Sequence, residues 1–275
     1  MNSARASWYD RAMSQDAAFV SRYGKWALVA GASEGLGAAF ARQLAARGLS
    51  IVLVARRAEL LDPLAEELRA TGVEALAVAL DLGAPDLHQR LVRATHGLEI
   101  GLVVYNAAYS LIGDFVGQSL EDKLRVVDVN CRGPIVAAHV FGGPMAERGR
   151  GGIVLMSSLA GTQGSPHISA YAASKAFNLV LGESLWDELG ARGVDVLTCR
   201  AGATRTPNFV ASKPRAAGAP VMEPEAVAES ALRALGRRPS VIPGWANRAA
   251  AAVMGVLPRK AAIRIMGNAT RKMYR

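Results

Sequence analysis

Short apolar runs alternate with longer segments whose apolar residues recur at helical spacing, and the alternation continues along most of the chain. Lys25-Trp26-Ala27-Leu28-Val29-Ala30 has the length of a strand. It runs into Gly31-Ala32-Ser33-Glu34-Gly35-Leu36-Gly37, after which Ala38–Arg47 has helical periodicity and Gly48 supplies the stop. Ile51–Ala55, Gly101–Tyr105 and Ile153–Ser158 repeat the strand pattern, and Val241-Ile242-Pro243 marks the last strand. Strands that alternate with helices predict an α/β chain with a doubly wound parallel sheet flanked by helices. At 275 residues the chain has the length for one large domain with a substantial core.

Strand, glycine turn, helix is the arrangement in which backbone N–H groups approach a pyrophosphate at a helix N-terminus. The spacing here is GxxxGxG, not GxGxxG, and by itself it fits a ligand-free tight corner equally well. The second strand ends at Arg56-Arg57. A dinucleotide fold places an acid there to bind the ribose 2′-OH, whereas an arginine fork suits a 2′-phosphate through bidentate charge-assisted hydrogen bonds. The plainer alternative is a solvated arginine pair opening the next helix. Its position at the strand end favours the phosphate.

Tyr171 and Lys175 are four residues apart, thirteen residues after Ser158. On a helix that spacing puts a phenol and an ammonium on one side. A phenol titrates near pH 10, and a cation held beside it favours the phenolate. A serine at a strand end could bond the oxygen that Tyr171 protonates. Alone, the YxxxK pair is common in helices with no chemical role. The order of the surrounding motifs gives it weight.

In that order the chain resembles the short-chain dehydrogenase/reductase family over about residues 24 to 244. Gly31, Ser33, Glu34, Gly35, Leu36 and Gly37 match its cofactor turn. Asp81-Leu82 matches the adenine-contacting pair. Asn106-Ala107-Ala108 is similar to its NAG motif, and Asn130 to the helix asparagine of its catalytic tetrad. Ser158, Tyr171 and Lys175 complete that tetrad. Ala201-Gly202, with Thr204 and Thr206, resembles the segment that grips the nicotinamide amide. Ala30, Ala108 and Ala201 depart from the family pattern without removing a chemical group.

The resemblance implies a Rossmann-like catalytic domain over 24–244, an N-terminal extension over 1–23 and a basic amphipathic extension over 245–275. It implies NADP(H) as cofactor. It implies Tyr171 as general acid or base, and Lys175 as the group that tunes Tyr171 and holds the nicotinamide ribose. Ser158 would orient the carbonyl, and Asn130 would hold a water that links Lys175 to solvent. Expected substrate contacts are Tyr109, Ser158, His167 and Phe209, the last in the Thr204–Met222 lid beside Val210. His167 is read as a loop histidine facing substrate, because Tyr171 already fills the acid–base post. The family also implies a homodimer or homotetramer through the helices of Asn130 and Tyr171, with Ala172, Ala173, Ala176, Leu179, Val180 and Gly182 offering a small apolar surface.

Composition adds limits. His88, His96 and His139 show no metal-ligand spacing, so no metal is expected. Cys131 and Cys199 make no disulfide framework and read as buried thiols. Residues 1–24 carry Arg5, Asp10, Arg11, Asp16 and Arg22 with no apolar signal core, and no run is long enough to span a bilayer, so a cytoplasmic protein is expected. In the N-terminal extension, Trp8, Tyr9, Met13 and Phe19 offer a docking face. The net charge is +9, and no acid follows Glu229. Arg248, Arg259, Lys260, Arg264, Arg271, Lys272 and Arg275 there surround apolar patches. A membrane surface, an anionic substrate, a subunit contact and a solvated helix all fit such a segment. Nucleic acid fits least. It is expected to stand apart from the reaction centre.

The leading reading is an NADP(H)-dependent carbonyl reductase or alcohol dehydrogenase acting on a small-molecule ketone. A 3-oxoacyl reductase of a lipid pathway is the enzymatic alternative. A nucleotide-binding regulatory or scaffold protein is the alternative of another class, and it would not need the acid–base pair.

Overall fold

The computed structural model describes residues 16–212 and 221–274. Trp8, Tyr9 and Met13 of the docking face, and Lys213 and Arg215 of the lid, lie outside the described residues. Seven parallel strands form one sheet in the order β3-β2-β1-β4-β5-β6-β7. They are β1 (Trp26–Ala30), β2 (Ser50–Ala55), β3 (Ala75–Ala79), β4 (Ile100–Tyr105), β5 (Gly151–Ser158), β6 (Val194–Ala201) and β7 (Ser240–Val241). The helices are α1 (16–23), α2 (Gly35–Ala46), α3 (Ala58–Arg69), α4 (Leu87–Ala94), α5 (Leu120–Val127), α6 (Gly133–Arg148), α7 (Ser169–Gly190), α8 (Pro207–Ala211), α9 (Pro224–Ala234), α10 (Trp245–Val256) and α11 (Arg259–Tyr274). A π-turn, Asp128–Arg132, joins α5 to α6.

Parallel strands need crossover connections, and their helices cover both faces of the sheet. That is why β1, β2 and β4 are unbroken apolar runs, buried at every residue. Successive strand residues feed opposite cores: Ala27, Val29, Leu53 and Phe40 on one side, Leu28, Val52, Val103 and Phe141 on the other. Phe40 is fully buried, and its truncation to Ala would cost about 3–5 kcal/mol.

The sequence-predicted elements recur with shifted ends. The second helix starts three residues early, at Gly35, because the glycine turn itself enters the helix. Residues 1–23 are not wholly separate from the domain. Phe19 and Val20 of α1 pack on the core, Tyr23 is buried, and its hydroxyl donates to Asp195 at 2.9 Å. Arg22 closes a two-bond pair with the same carboxylate. Cys131 is half-buried on the π-turn, not buried in a regular helix as the sequence suggested; Cys199 is buried in β6.

The strand order reverses between β1 and β4. In open α/β sheets the ligand crevice opens at such a switch point, beyond the carboxyl ends of the strands. The glycine turn follows β1, Arg56-Arg57 follow β2, Asn106 follows β4, and Ser158 ends β5.

Candidate active site

The glycine turn is tight for a structural reason. Gly31 has φ +82°, and a Cβ on it would stand 2.6 Å from the Ala107 Cα. A Cβ on Gly37 would overlap the Gly31 carbonyl oxygen. Asn106 Nδ2 donates to that same oxygen at 3.0 Å, which binds the end of β4 to the turn after β1. The first turn of α2 therefore stays bare backbone, a cradle with the positive end of a twelve-residue helix behind it. Gly35 faces Thr206 across the crevice: a Cβ there would lie 3.0 Å from the threonine side chain. Thr206 caps α8 by accepting from the Phe209 N–H.

Arg57 donates to Ser33 Oγ at 3.2 Å and pairs with Glu34 at 2.8 Å. Arg56 is exposed and has no ion pair among the described residues. One guanidinium and a hydroxyl thus meet after β2, beside a carboxylate that a bound phosphate would have to share, with the exposed Arg56 next in the chain. These donors and the bare cradle fit a dinucleotide with a 2′-phosphate.

At the adenine end, Asp81 accepts from Arg125 through both oxygens and from the Gly83 N–H at 2.9 Å. Burial works to raise its carboxyl pKa, but Arg125 and that N–H outweigh it and hold Asp81 below the ordinary range. The Arg125 guanidinium lies 5.8 Å from the Tyr109 ring centre, and the Tyr109 hydroxyl donates to Asp122 at 2.8 Å. Tyr109, expected at the substrate, thus has its phenol engaged with α5 and with the arginine that holds Asp81.

The expected catalytic residues Ser158, Tyr171 and Lys175 lie on β5 and α7. Lys175 is 3 % exposed, and its Nζ donates to the Met156 carbonyl at 2.9 Å. The same Nζ lies 5.5 Å from the Tyr171 ring centre. Burial pushes the lysine pKa down to about 8, against opposing effects of Cys131 and Cys199. Ser157 Oγ donates to the Lys175 carbonyl at 2.7 Å and so fixes α7 on the strand that carries Ser158. Ser158 Oγ accepts from the Ala160 N–H at 3.2 Å, which leaves its own proton to donate.

Asn130 is fully buried on the π-turn, a place where functional residues are often found. Its oxygen accepts from the Tyr109 N–H at 2.7 Å, and its nitrogen donates to the Tyr109 carbonyl and to Ser174 Oγ, both at 2.9 Å. Three of the four hydrogen bonds its side chain can make thus hold the segment after β4 to α7.

His167 has φ +67°, and its carbonyl accepts from the Gly113 N–H at 2.8 Å. That bond ties the loop after β5 to the loop after β4 on the substrate side. Phe209 is half-buried on α8, with Val210 exposed beside it. Gly202 is covered by Asn247 of α10: a Cβ there would stand 2.6 Å from the amide nitrogen. Asn247, itself buried, donates to the Pro243 carbonyl. Thr204 is buried and bridges to Met222.

Sequence reasoning missed Arg125, Asp122, Ser174 and Asn247. It also read residues 245–275 as an accessory surface, and α11 of that segment packs on the 162–166 loop. Ile263 lies against Gly164, Gly267 against Pro166, and Arg259 donates to the Thr162 carbonyl at 3.0 Å. The helix backs the loop between Ser158 and Tyr171. These contacts carried no local signal, because they join residues far apart in the chain.

The family model described as short chain dehydrogenase matches residues 25–216. A 7beta-hydroxysteroid dehydrogenase of Clostridium sardiniense is 34% identical over 233 residues, which are 84% of this chain and 89% of the relative. A solved 7beta-hydroxysteroid dehydrogenase structure superposes with a TM-score of 0.85 at 32% identity, covering 90% of this chain and 98% of the other. A short-chain dehydrogenase from Sphingobium yanoikuyae in complex with NADPH superposes at 0.73 with 30% identity, covering 85% and 96%.

Proposed function

The chain belongs to the short-chain dehydrogenase/reductase family, an oxidoreductase that interconverts a ketone and an alcohol with NAD(P)(H), and from that premise we propose a reductase of bulky, steroid-sized ketones that prefers NADPH. The observation that carries the ketone–alcohol chemistry is the buried Lys175 ammonium 5.5 Å from the Tyr171 ring, on the helix that Ser157 fixes to the strand of Ser158.

The bound nicotinamide would supply the hydride chemistry. Gly31, Gly37 and the first turn of α2 would hold its pyrophosphate, Asp81 its adenine, Arg56, Arg57 and Ser33 its 2′-phosphate, and Gly202 to Thr206 its amide. Ser158 would donate to the carbonyl oxygen and stabilise the charge that grows there. Tyr171 would deliver the proton to that oxygen. Lys175, kept charged below about pH 8, favours the phenolate that remains. Asn130 acts by position: it fixes Tyr109 and Ser174 and so aligns α7 with the loop after β4. His167 and Phe209 would line the substrate side.

The steroid size rests on the match to 7beta-hydroxysteroid dehydrogenases, which covers 84% of this chain in sequence and 90% in structure. The partner calls belong to the same proposal. Leu120, Leu124, Val127, Ile135 and Val180 are exposed along α5, α6 and α7, an apolar face suited to a second copy. Ala172 and Gly182 face the sheet instead and do not contribute to it. On α10, Trp245 is 77 % and Val256 83 % exposed beside Arg248 and Lys260, which favours contact with an anionic membrane. Among the described residues no helix is long and apolar enough to cross a membrane.

The test is NADPH oxidation over a panel of steroid ketones, small ketones and 3-oxoacyl thioesters. The expected result is a kcat/KM for a steroid ketone at least about tenfold above the others. Preference for the thioester would replace the reading with a 3-oxoacyl reductase. No turnover of any carbonyl, with intact NADPH binding, would leave a nucleotide-binding protein.

A further inference from the structure

We propose that the loop between Ser158 and Tyr171 carries an oxyanion site built from Arg200 and Arg259 around Thr162, for a carboxylate or phosphate. Arg200 is the last residue but one of β6, its register partner is Ser157, and it donates to Thr162 Oγ1 at 2.8 Å. Arg259 opens α11 and donates to the Thr162 carbonyl oxygen at 3.0 Å. Two guanidinium groups from distant parts of the chain are thus held against two oxygens of one residue.

Neither has a carboxylate partner among the described residues. Most other half-buried arginines here have one: Arg47 pairs with Glu229, Arg125 with Asp81, Arg132 with Asp128. Arg200 is half-buried, and its Nε has no acceptor among the described residues. Gln163, next in the chain to Thr162, is 6 % exposed, and its amide nitrogen also has no acceptor among the described residues. A partly desolvated guanidinium beside a second one is costly unless an anion offsets it.

The start of α11 points the same way. Its first turn holds Arg259 and Lys260 and no acid, at the helix end that is already positive. With no acid after Glu229 in the sequence, no nearby part of this segment can neutralise it. An oxyanion would satisfy both guanidinium groups through charge-assisted hydrogen bonds. It would also bind α11 to the 162–166 loop, which already packs on Ile263 and Gly267, and so firm the stretch that joins Ser158 to Tyr171.

The oxyanion could be free in solution or carried by the substrate, and two measurements separate these sources. The first is thermal unfolding of the full chain with saturating NADP+, so that phosphate cannot act at Arg56 and Arg57. Inorganic phosphate is titrated against chloride at matched ionic strength, in the parent, in Arg200→Met and in Arg259→Gln. Arg259 is exposed, so its variant should fold even if the Arg200 variant does not. A free-anion site predicts a phosphate-specific rise in Tm in the parent that Arg259→Gln loses. This arm needs no turnover, so its failure is distinct from failure of the ketone-reductase reading.

The second compares KM for a ketone that bears a carboxylate with KM for its methyl ester. A substrate-borne anion predicts a rise of about tenfold for the acid alone in Arg259→Gln. Either result supports the site and names its source. The proposal is overturned if phosphate acts no better than chloride and the acid-to-ester ratio is the same in the parent and the variant.

Discussion

Around Lys175 and Asn130 the polar groups are closed: Lys175 is 3 % exposed with its Nζ on a strand carbonyl, and Asn130 is fully buried with three bonds. Beyond β7 the chain is open, with Trp245, Val253 and Val256 in solvent and basic residues without acidic neighbours in sequence. The two regions still touch, through α11 on the 162–166 loop and Asn247 on Gly202. The closed region fixes atoms that must not move by an ångström during proton and hydride transfer. The open region packs behind the loops that shape the substrate side, where size and charge can change without loss of the chemistry.

The comparison breaks hardest at Tyr171. Tyr171→Phe keeps the ring and removes the proton donor, so turnover should fall by about 10²–10⁴ while NADPH binding is kept. Retained turnover with any good substrate would dismiss the mechanism. Lys175→Met should also be inactive, yet more heat-stable than the parent at pH 7. Burial holds the folded lysine at about 8, whereas unfolded it titrates near about 10.4. Between those values the unfolded chain binds more protons, so this group's contribution improves as pH rises from about 8 to 10.4 and is unfavourable below. The Tm advantage of the methionine variant, measured without cofactor, should shrink over that window. A variant less stable at every pH would show that the bond to Met156 outweighs the burial of charge.

A smaller effect is expected where the cofactor enters. Arg56→Ala with Arg57→Ala should weaken NADPH binding by about 10- to 100-fold, the worth of charged hydrogen bonds, and spare NADH. Equal affinity of the parent for the two cofactors, read by fluorescence titration, would dispose of the phosphate reading. The smallest effect belongs to the open region. Ile263→Ala should raise KM for a bulky ketone by only about three- to fivefold with kcat unchanged, because one packing contact behind the loop is lost. A matching drop in kcat would place α11 in the reaction centre itself.

Much of this was legible in the chain. Unbroken apolar runs marked the parallel strands, since a sheet covered on both faces leaves no polar side to write into them. The glycine turn, Arg56-Arg57, Asn106 and Ser158 lie at or just after strand ends, and Tyr171 and Lys175 share one helix at i,i+4 spacing, so local pattern exposed them. Arg125, Ser174 and Asn247 were not legible. Each acts on a residue that only the fold brings near: Arg125 on Asp81, Ser174 on Asn130, Asn247 on Gly202.

The sequence by itself determined the α/β class, the bare backbone at Gly31 and Gly37, and the side of α7 shared by Tyr171 and Lys175, because these follow from sterics and helical period. The tertiary structure decided the rest. It buried Lys175 against Met156 and so lowered its pKa, turned the Asn130 amide toward Tyr109, and laid α11 on the loop after Ser158. Desolvation, hydrogen-bond partners and helix packing depend on what surrounds a group in space, and no local spacing records that.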